Sequence, residues 1–126
     1  MLIDLVREVL LIDADEDDSL FFQKAIKDIG AHIRCRLAKD ASAGLEATIA
    51  TPLPDLIFIN PNAGLELLSL IKKHPSTKHI PLIMYSSGRN LQLMARAQAH
   101  GAAAYIVKPY RLDDIRQELL AVIENL

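Results

Sequence analysis

The chain has little of what several kinds of site require. Cys35 is its only cysteine, which excludes an internal disulfide and a zinc site built from thiolates of this chain alone, and fits a reducing cytoplasm. No glycine-rich nucleotide loop, nucleophile elbow or Cys-His arrangement occurs. The histidines lack any spacing that would bring two imidazoles to one metal: His32, His74, His79 and His100. We therefore expect no resident cofactor and no enzymatic activity.

An excess of positive charge is also missing. The chain has 14 basic and 16 acidic residues, a formal net charge of −2, so no overall positive field attracts nucleic acid or an anionic membrane. Residues 1–12 mix apolar side chains with Asp4, Arg7 and Glu8, and are too short and too charged for a signal peptide or a membrane span. We expect a cytoplasmic protein with neither nucleic acid nor membrane as its partner.

The length and composition predict one folded domain spanning residues 1–126. A chain of this length buries roughly two-thirds of its unfolded surface. Hydrophobic residues make up 51% and charged residues 24%, which is typical of soluble globular domains, and we find no linker, repeat or low-complexity tract.

Apolar segments of strand length alternate with segments of helical period. The predicted strands cover residues 9–12, 32–38, 56–59, 82–85 and 104–107, and the predicted helices cover residues 17–29, 41–50, 65–73, 91–99 and 112–124. Within 32–38, Ile33, Cys35 and Leu37 alternate with arginines, which predicts a half-exposed edge strand. Strict alternation of this kind predicts an α/β fold with a parallel sheet covered by helices on both faces.

Polar residues follow several of these strands directly. In an open parallel sheet, ligands and chemistry collect at the carboxyl ends of the strands. The segments at those ends are Asp13 to Asp18, Asn60 to Gly64, Ser86 to Gly88, and Lys108 with Pro109. We expect any functional site to be formed by them.

Four of these segments together resemble the response regulator receiver (CheY-like) domain family. They are Leu-Ile-Asp-Ala-Asp-Glu-Asp-Asp at 11–18, Pro-Asp-Leu-Ile-Phe-Ile-Asn at 54–60, Pro-Leu-Ile-Met-Tyr-Ser at 81–86 and Tyr-Ile-Val-Lys-Pro-Tyr at 105–110. The resemblance runs from Glu8 to about Glu124. It implies a flavodoxin-like three-layer α/β/α sandwich, with a five-stranded parallel sheet of order 2-1-3-4-5 and five helices. It also implies a role in two-component (phosphorelay) signal transduction, where receivers take a phosphoryl group from a phospho-histidine with the help of magnesium.

The chain departs from that family where the chemistry takes place. Asn60 stands at the phosphoacceptor position, and an amide does not attack a phosphoryl group as a carboxylate does. Ala14 stands at the second position of the acidic pair, and only three residues separate Asn60 from Gly64 in a shortened loop. The resemblance therefore implies a degenerate pseudo-receiver without a catalytic residue and without bound Mg²⁺, for which Asp13 and Asp15 are weak candidate ligands.

A remnant of the family's pocket persists. Asp13, Ser86 and Lys108 match its first acidic residue, its hydroxyl and its lysine, and Asp15 is a further candidate that could reach inward. Without a metal, we expect a direct ion pair between Asp13 and Lys108, with Asn60 hydrogen-bonded between them. Residues 15–18 are otherwise interpreted as the solvated start of a helix. In the family, the peptide that matches Lys108–Pro109 is commonly cis.

The leading hypothesis is a signalling domain that works through protein contacts without phosphorylation. By similarity to receivers, its partner would be a histidine kinase or an effector protein, or a second copy in a homodimer. The expected interaction face lies on the fourth helix, the fifth strand and the fifth helix, with Tyr105 at the family's switch position and the basic residues Arg89, Arg96, Arg111 and Arg116.

Two alternatives remain open at this point. In the first, the domain is an active receiver in which Asp13 or Asp15 accepts the phosphoryl group in place of Asn60. In the second, the vacated pocket binds a small anion through Ser86 and Lys108.

Overall fold

A single parallel sheet forms the centre of the protein. The computed structural model describes residues 2–126. The strands are β1 (Glu8–Ile12), β2 (Arg34–Ala38), β3 (Leu56–Ile59), β4 (Leu82–Ser86) and β5 (Ala104–Val107). They pair in parallel in the order β2-β1-β3-β4-β5, as predicted. The fold is therefore the flavodoxin-like arrangement implied by the family resemblance.

Four helices connect the strands, a fifth follows β5, and together they cover both faces of the sheet. They are α1 (Glu16–Ile29), α2 (Ala41–Ile49), α3 (Leu65–Lys73), α4 (Leu91–Ala99) and α5 (Leu112–Glu124). Helices α1 and α5 pack on one face, where Phe22 and Leu119 contact the side chains of alternate strand residues. Helices α2, α3 and α4 pack on the other face, where Leu68 and Ala97 are fully buried. Short 3₁₀ turns occupy Ile3–Leu5 and Pro61–Ala63. None of the helices described combines the length and the hydropathy of a membrane span.

Side-chain caps determine where most of the long helices begin. Asp15, Asp40 and Asn90 each accept a hydrogen bond from the backbone N–H three residues later, at the starts of α1, α2 and α4. Asp40 stands directly before the alanine-rich run that forms α2. The close packing of α2 depends on Gly44, because a Cβ atom there would lie 2.6 Å from Cδ1 of Ile12. This glycine brings α2 directly against β1.

The predicted alternation of β2 is only partly correct. Ile33 is buried and Cys35 is half-buried, but Leu37 is 41% exposed. Strand β2 lies at the edge of the sheet, so Leu37 has a neighbouring strand on one side alone, and the α1 side chain lining the same groove, Leu20, is itself exposed. Arg36 is half-buried, since it contacts Glu8 at 3.8 Å and donates to a backbone carbonyl.

Candidate functional site

The sheet register brings four of the predicted site residues to one edge. Ile12 pairs with Ile59, and Ser86 pairs with Val107, so the residues that end β1, β3, β4 and β5 lie side by side. Those residues are Asp13, Asn60, Ser86 and Lys108. Asp13, Asn60 and Ser86 are 7–8% exposed, so their polar groups depend mainly on protein partners.

Lys108 is held between two carboxylates. Its Nζ lies 2.7 Å from Oδ2 of Asp13 and 2.8 Å from Oδ2 of Asp18. The predicted ion pair with Asp13 is present, and both of its side chains are buried, with 3% of Asp13 and 8% of Lys108 exposed. The ammonium also lies 5.3 Å from the centre of the Tyr85 ring. We call Asp13, Asp18 and Lys108 the ion cluster. The Lys108–Pro109 peptide is trans, unlike the cis peptide common in the family, and the Thr51–Pro52 peptide is cis.

Two opposing effects act on the pKa of Lys108. Burial alone lowers it, because burial penalises the charged form, but the contacts with Asp13 and Asp18 outweigh burial and the net direction is upward. The lysine is therefore a fixed cation whose charge is already balanced by protein groups.

Asp18 takes the inward position that was predicted for Asp15. Asp15 is exposed and accepts from the N–H of Asp18 as the cap of α1, while its own N–H donates to Oδ1 of Asp13 at 3.0 Å. Asp18 does lie in the first turn of α1 with 39% of its side chain exposed, but the interpretation as a solvated helix start did not include its contact with Lys108. The helical period contained the signal, since Asp18 shares a face of α1 with the buried residues Phe22 and Ala25, four and seven positions later.

Asn60 does not bridge Asp13 and Lys108, which corrects that prediction. Its Oδ1 accepts from the N–H of Asn62 at 2.9 Å, and its Nδ2 donates to the backbone carbonyl of Tyr85 at 3.3 Å. The physical reason is the shortened loop after β3, which folds into a 3₁₀ turn with a free N–H that the Asn60 side chain caps. Both polar ends of the amide are thus satisfied away from the ion cluster.

Ser86 and Tyr105 both contact Gly88 in the loop after β4. The Ser86 hydroxyl donates to the Gly88 carbonyl at 3.1 Å and accepts from its N–H at 3.3 Å. The Tyr105 hydroxyl donates to the same carbonyl at 3.4 Å. These bonds hold the loop to β4 and to β5, and they occupy the hydroxyl that the family uses for phosphate.

The side chains at this edge do not fit a magnesium ion. Magnesium needs several oxygen ligands, usually carboxylates with water. Ala14 supplies none, Asn60 is turned away, and the ammonium of Lys108 lies between the carboxylates of Asp13 and Asp18. Within residues 2–126, no three His, Cys, Asp or Glu side chains lie close enough together to hold a metal.

The predicted interaction face is only partly assembled. Arg89 and Arg111 are exposed near β5, whereas Arg96 lines a cleft between α3 and α4. Arg116 is not free, because its guanidinium contacts Asp28 of α1 at 2.6 Å and also Asp113. The hydrogen bond from Arg116 holds the pKa of Asp28 below its ordinary value. Arg116 thus joins α5 to α1, and its place in the interaction face stays a prediction.

Comparisons with known proteins agree on one family. The sequence profile of the response regulator receiver domain matches residues 9–120. The chain is 23% identical over 116 residues to the chemotaxis protein CheY-3 of Vibrio cholerae, covering 87% of this chain and 89% of that protein. It is 35% identical over 54 residues to the two-component response regulator-like APRR9 of Arabidopsis thaliana, covering 43% of this chain and 12% of that protein.

The solved structures show the same fold. The phosphorylated cyanobacterial phytochrome response regulator RcpA superposes with a TM-score of 0.84 at 21% identity, covering 94% of this chain and 92% of that one. Several curated relatives are much longer, and the chain spans from 6% to 54% of the length of six of them.

Proposed function

The chain belongs to the response regulator receiver domain family of two-component signalling, and from that premise we propose that it works as a pseudo-receiver, through protein contacts and without phosphorylation. Receiver domains are signalling modules that interact with histidine kinases and effectors. The observation that carries the proposal is the ion cluster, in which Asp13 and Asp18 hold Lys108 while Asn60 replaces the acceptor. We further propose that residues 1–126 act as one domain in the cytoplasm, with no cofactor and no catalysis of its own.

An alternative acceptor is poorly supported by the geometry. Asp13 is buried and in contact with Lys108, so a phosphoryl group on it would have to displace the lysine. Asp15 is exposed and its carboxylate caps α1. Neither carboxylate has the metal site beside it that assists transfer to an acidic side chain.

The small-anion alternative is also disfavoured. Lys108 would have to leave two carboxylates to bind an anion, and the hydroxyl of Ser86 is bonded to Gly88 in both directions. A free anion near this site would meet the negative charges of Asp13 and Asp18 as well as the one lysine. The positive charge that an anion would need in this pocket is already balanced by Asp13 and Asp18.

The hydrogen bonds to Gly88 favour a single arrangement of Ser86 and Tyr105, the two residues at the family's switch positions. In receivers, the residues that match Ser86 and Tyr105 move when the acceptor is phosphorylated, but here both hydroxyls bond to Gly88 with no phosphoryl group involved. The surface formed by α4, β5 and α5 then has a constant shape for a partner to recognise. Exposed apolar and basic side chains provide its contacts: Arg89, Leu91, Val107, Tyr110 and Arg111.

We propose a histidine kinase or an effector protein as the partner of this surface, with a homodimer as a further candidate. Basic groups beside exposed apolar ones are typical of protein-binding surfaces, where arginine and tyrosine are enriched. A protein partner is favoured over nucleic acid or a membrane, because the chain as a whole has a formal net charge of −2 and the arginines of this surface stand beside exposed apolar side chains.

The test is incubation with acetyl phosphate and magnesium, read by intact mass, with a phosphorylatable receiver in the same tube as the control for the reagent. We expect the wild-type chain to stay unmodified. An Asn60→Asp variant also measures how far the acceptor alone restores the chemistry, and we expect little restoration because Ala14 and the Asp18 contact are unchanged. Gain of one phosphoryl group on the wild-type chain would overturn the proposal and direct attention to Asp13 and Asp15.

A further inference from the structure

A cleft between α3 and α4 lies apart from the ion cluster and from the surface around β5. Its lining includes Glu66, Ser69, Leu70 and Lys73 from α3, Arg96 from α4, and His100, which follows the last residue of α4. We call these six residues the α3–α4 cleft. None of the six takes part in the ion cluster, and Arg96 was predicted to lie on the surface formed by α4, β5 and α5.

The charge of the chain is distributed unevenly, and the cleft lies in its basic part. Of the 16 acidic residues, eleven lie in residues 1–60 and four in residues 113–126, which leaves Glu66 alone between them. Seven of the 14 basic residues lie in residues 61–112, so this segment has a formal charge of +6. The net charge of −2 for the whole chain therefore hides a basic segment. One of its seven cations, Lys108, is balanced by Asp13 and Asp18, and unpaired basic groups among the rest can attract acidic partners.

The two cations of the cleft have no anionic partner. Within residues 2–126, neither Lys73 nor Arg96 takes part in an ion pair, and both are exposed. The neighbouring Lys72 differs, because its ammonium donates to the carbonyls of Lys78 and Ile80. Lys73 and Arg96 are thus the groups that a bound anion would meet first.

The walls of the cleft are tied together. The Ser69 hydroxyl and Nδ1 of His100 lie 3.0 Å apart and join α3 to the end of α4. Gly101 follows with a φ of +104°, and a Cβ atom there would lie 2.9 Å from Cγ of Lys72, so only glycine permits this close approach. Leu70 adds an apolar contact, since 53% of it is exposed.

We propose that the α3–α4 cleft binds an acidic segment of a partner protein, which presents carboxylates to Lys73 and Arg96 and an apolar side chain to Leu70. Charge complementarity selects this occupant, because the cleft combines two unpaired cations with an exposed leucine. Nucleic acid fits less well, since the six residues include no phenylalanine, tyrosine or tryptophan on which a base could stack, whereas Leu70 offers an apolar contact to a peptide side chain. Arg96 thereby belongs to a second surface, while Arg89 and Arg111 belong to the first.

The experiment is an NMR titration of the ¹⁵N-labelled chain with a short synthetic peptide of glutamates and leucines, with a matched peptide of glutamines and leucines as the control. We expect shifts of the amides from Leu65–Lys73 and Leu91–Ala99, and weak binding that falls as salt is added. Reversing both charges, with Lys73→Glu and Arg96→Glu, should lower the affinity about tenfold, and Glu66→Gln should raise it about twofold.

A matched control changes the same total charge elsewhere. Arg34→Glu with Lys39→Glu alters two exposed basic residues at the β2 edge, and we expect the affinity to stay within about twofold of wild type. Equal losses in the two double variants would overturn the proposal, as would equal binding of the glutamine peptide or shifts that map outside the cleft. Tighter binding of a single-stranded DNA oligonucleotide, or shifts of the cleft amides with protein concentration alone, would also overturn it by assigning the cleft to another occupant.

Discussion

Replacing Lys108 by methionine removes the cation from the ion cluster and leaves Asp13 as a buried charge without a partner. Only 3% of the Asp13 side chain is exposed, so its carboxylate has little contact with water that could compensate for the lost ammonium. Breaking a buried ion pair from one side costs about 3–5 kcal/mol of unfolding free energy. We expect Lys108→Met to be among the most destabilising single substitutions at the carboxyl edge of the sheet.

The same reasoning ranks the two carboxylates. Asp18 is 39% exposed, so its contact with Lys108 is screened by solvent, and Asp18→Asn should cost at most about 1 kcal/mol. Asp13→Asn should cost about 1.5–3 kcal/mol, because it removes a charged contact but leaves Lys108 paired with Asp18. In the Lys108→Met/Asp13→Asn double variant, the orphaned charge is gone, so the loss should be smaller than the sum of the two single losses.

Urea and thermal unfolding followed by circular dichroism measure these losses. An unfolding entropy of about 2.1 cal/mol/K per residue over 126 residues makes 1 kcal/mol equal to roughly 4 °C in Tm, so Lys108→Met should lower Tm by about 11–19 °C. Lys78→Met is the matched control, since Lys78 is an exposed lysine that makes no ion pair within the described residues. The reasoning is refuted if Lys108→Met lies within about 1 kcal/mol of wild type, or if Asp18→Asn is the more damaging change.

Unfolding at alkaline pH provides an independent check on the direction in which the pKa of Lys108 is shifted. The pKa of Lys108 is raised in the folded state, so the stability it contributes is fully present below the ordinary lysine pKa of 10.5 and is lost as pH rises through the folded value. Wild-type stability should therefore fall above about pH 10.5, whereas the Lys108→Met variant should be flatter over the same range. Parallel curves for the two proteins would contradict the assignment of the raised pKa to Lys108.

Two further predictions concern packing and the lone thiol. Gly44→Ala should lower unfolding free energy by about 1–3 kcal/mol, because the added Cβ would lie 2.6 Å from Ile12, and a urea titration that shows wild-type stability would contradict the close approach of α2 to β1. Burial raises the pKa of the Cys35 thiol to about 12, so at neutral pH it should react with a thiol reagent far more slowly in the folded chain than in urea, and equal rates would refute its burial.

Most of the fold could be predicted from the sequence because local pattern and tertiary packing favour the same structure. The four-residue apolar run 56–59 became strand β3 at those bounds, and the segment 65–73 became α3 without adjustment. Leu37 was the exception, since alternation along a strand indicates two faces but not how far a neighbouring helix extends over one of them.

The site was harder to predict because its contacts join distant segments. Asp13 and Lys108 could be paired in advance through the family pattern and their places at strand ends. The contact between Asp18 and Lys108 was missed because the two residues lie 90 positions apart in the sequence. Helix capping and solvation were enough to explain a run of acidic residues at a helix start. Asn60 was misplaced because the hydrogen bonds of an amide follow from the shape of the loop after it, and the short 3₁₀ turn required a cap.

The position of Lys108 beside Tyr85 gives the protein an optical reporter. The chain has no tryptophan and three tyrosines, so tyrosine emission is observed without transfer to an indole. Tyr85 lies beneath the ammonium, Tyr105 bonds to the loop that Ser86 holds, and Tyr110 is fully exposed to solvent. Two of the three emitters therefore adjoin the pocket, and the third lies on the proposed partner surface. A partner or variant that moves Lys108 or the Gly88 loop should change the ultraviolet emission of the unlabelled protein, which makes the state of this edge readable in real time.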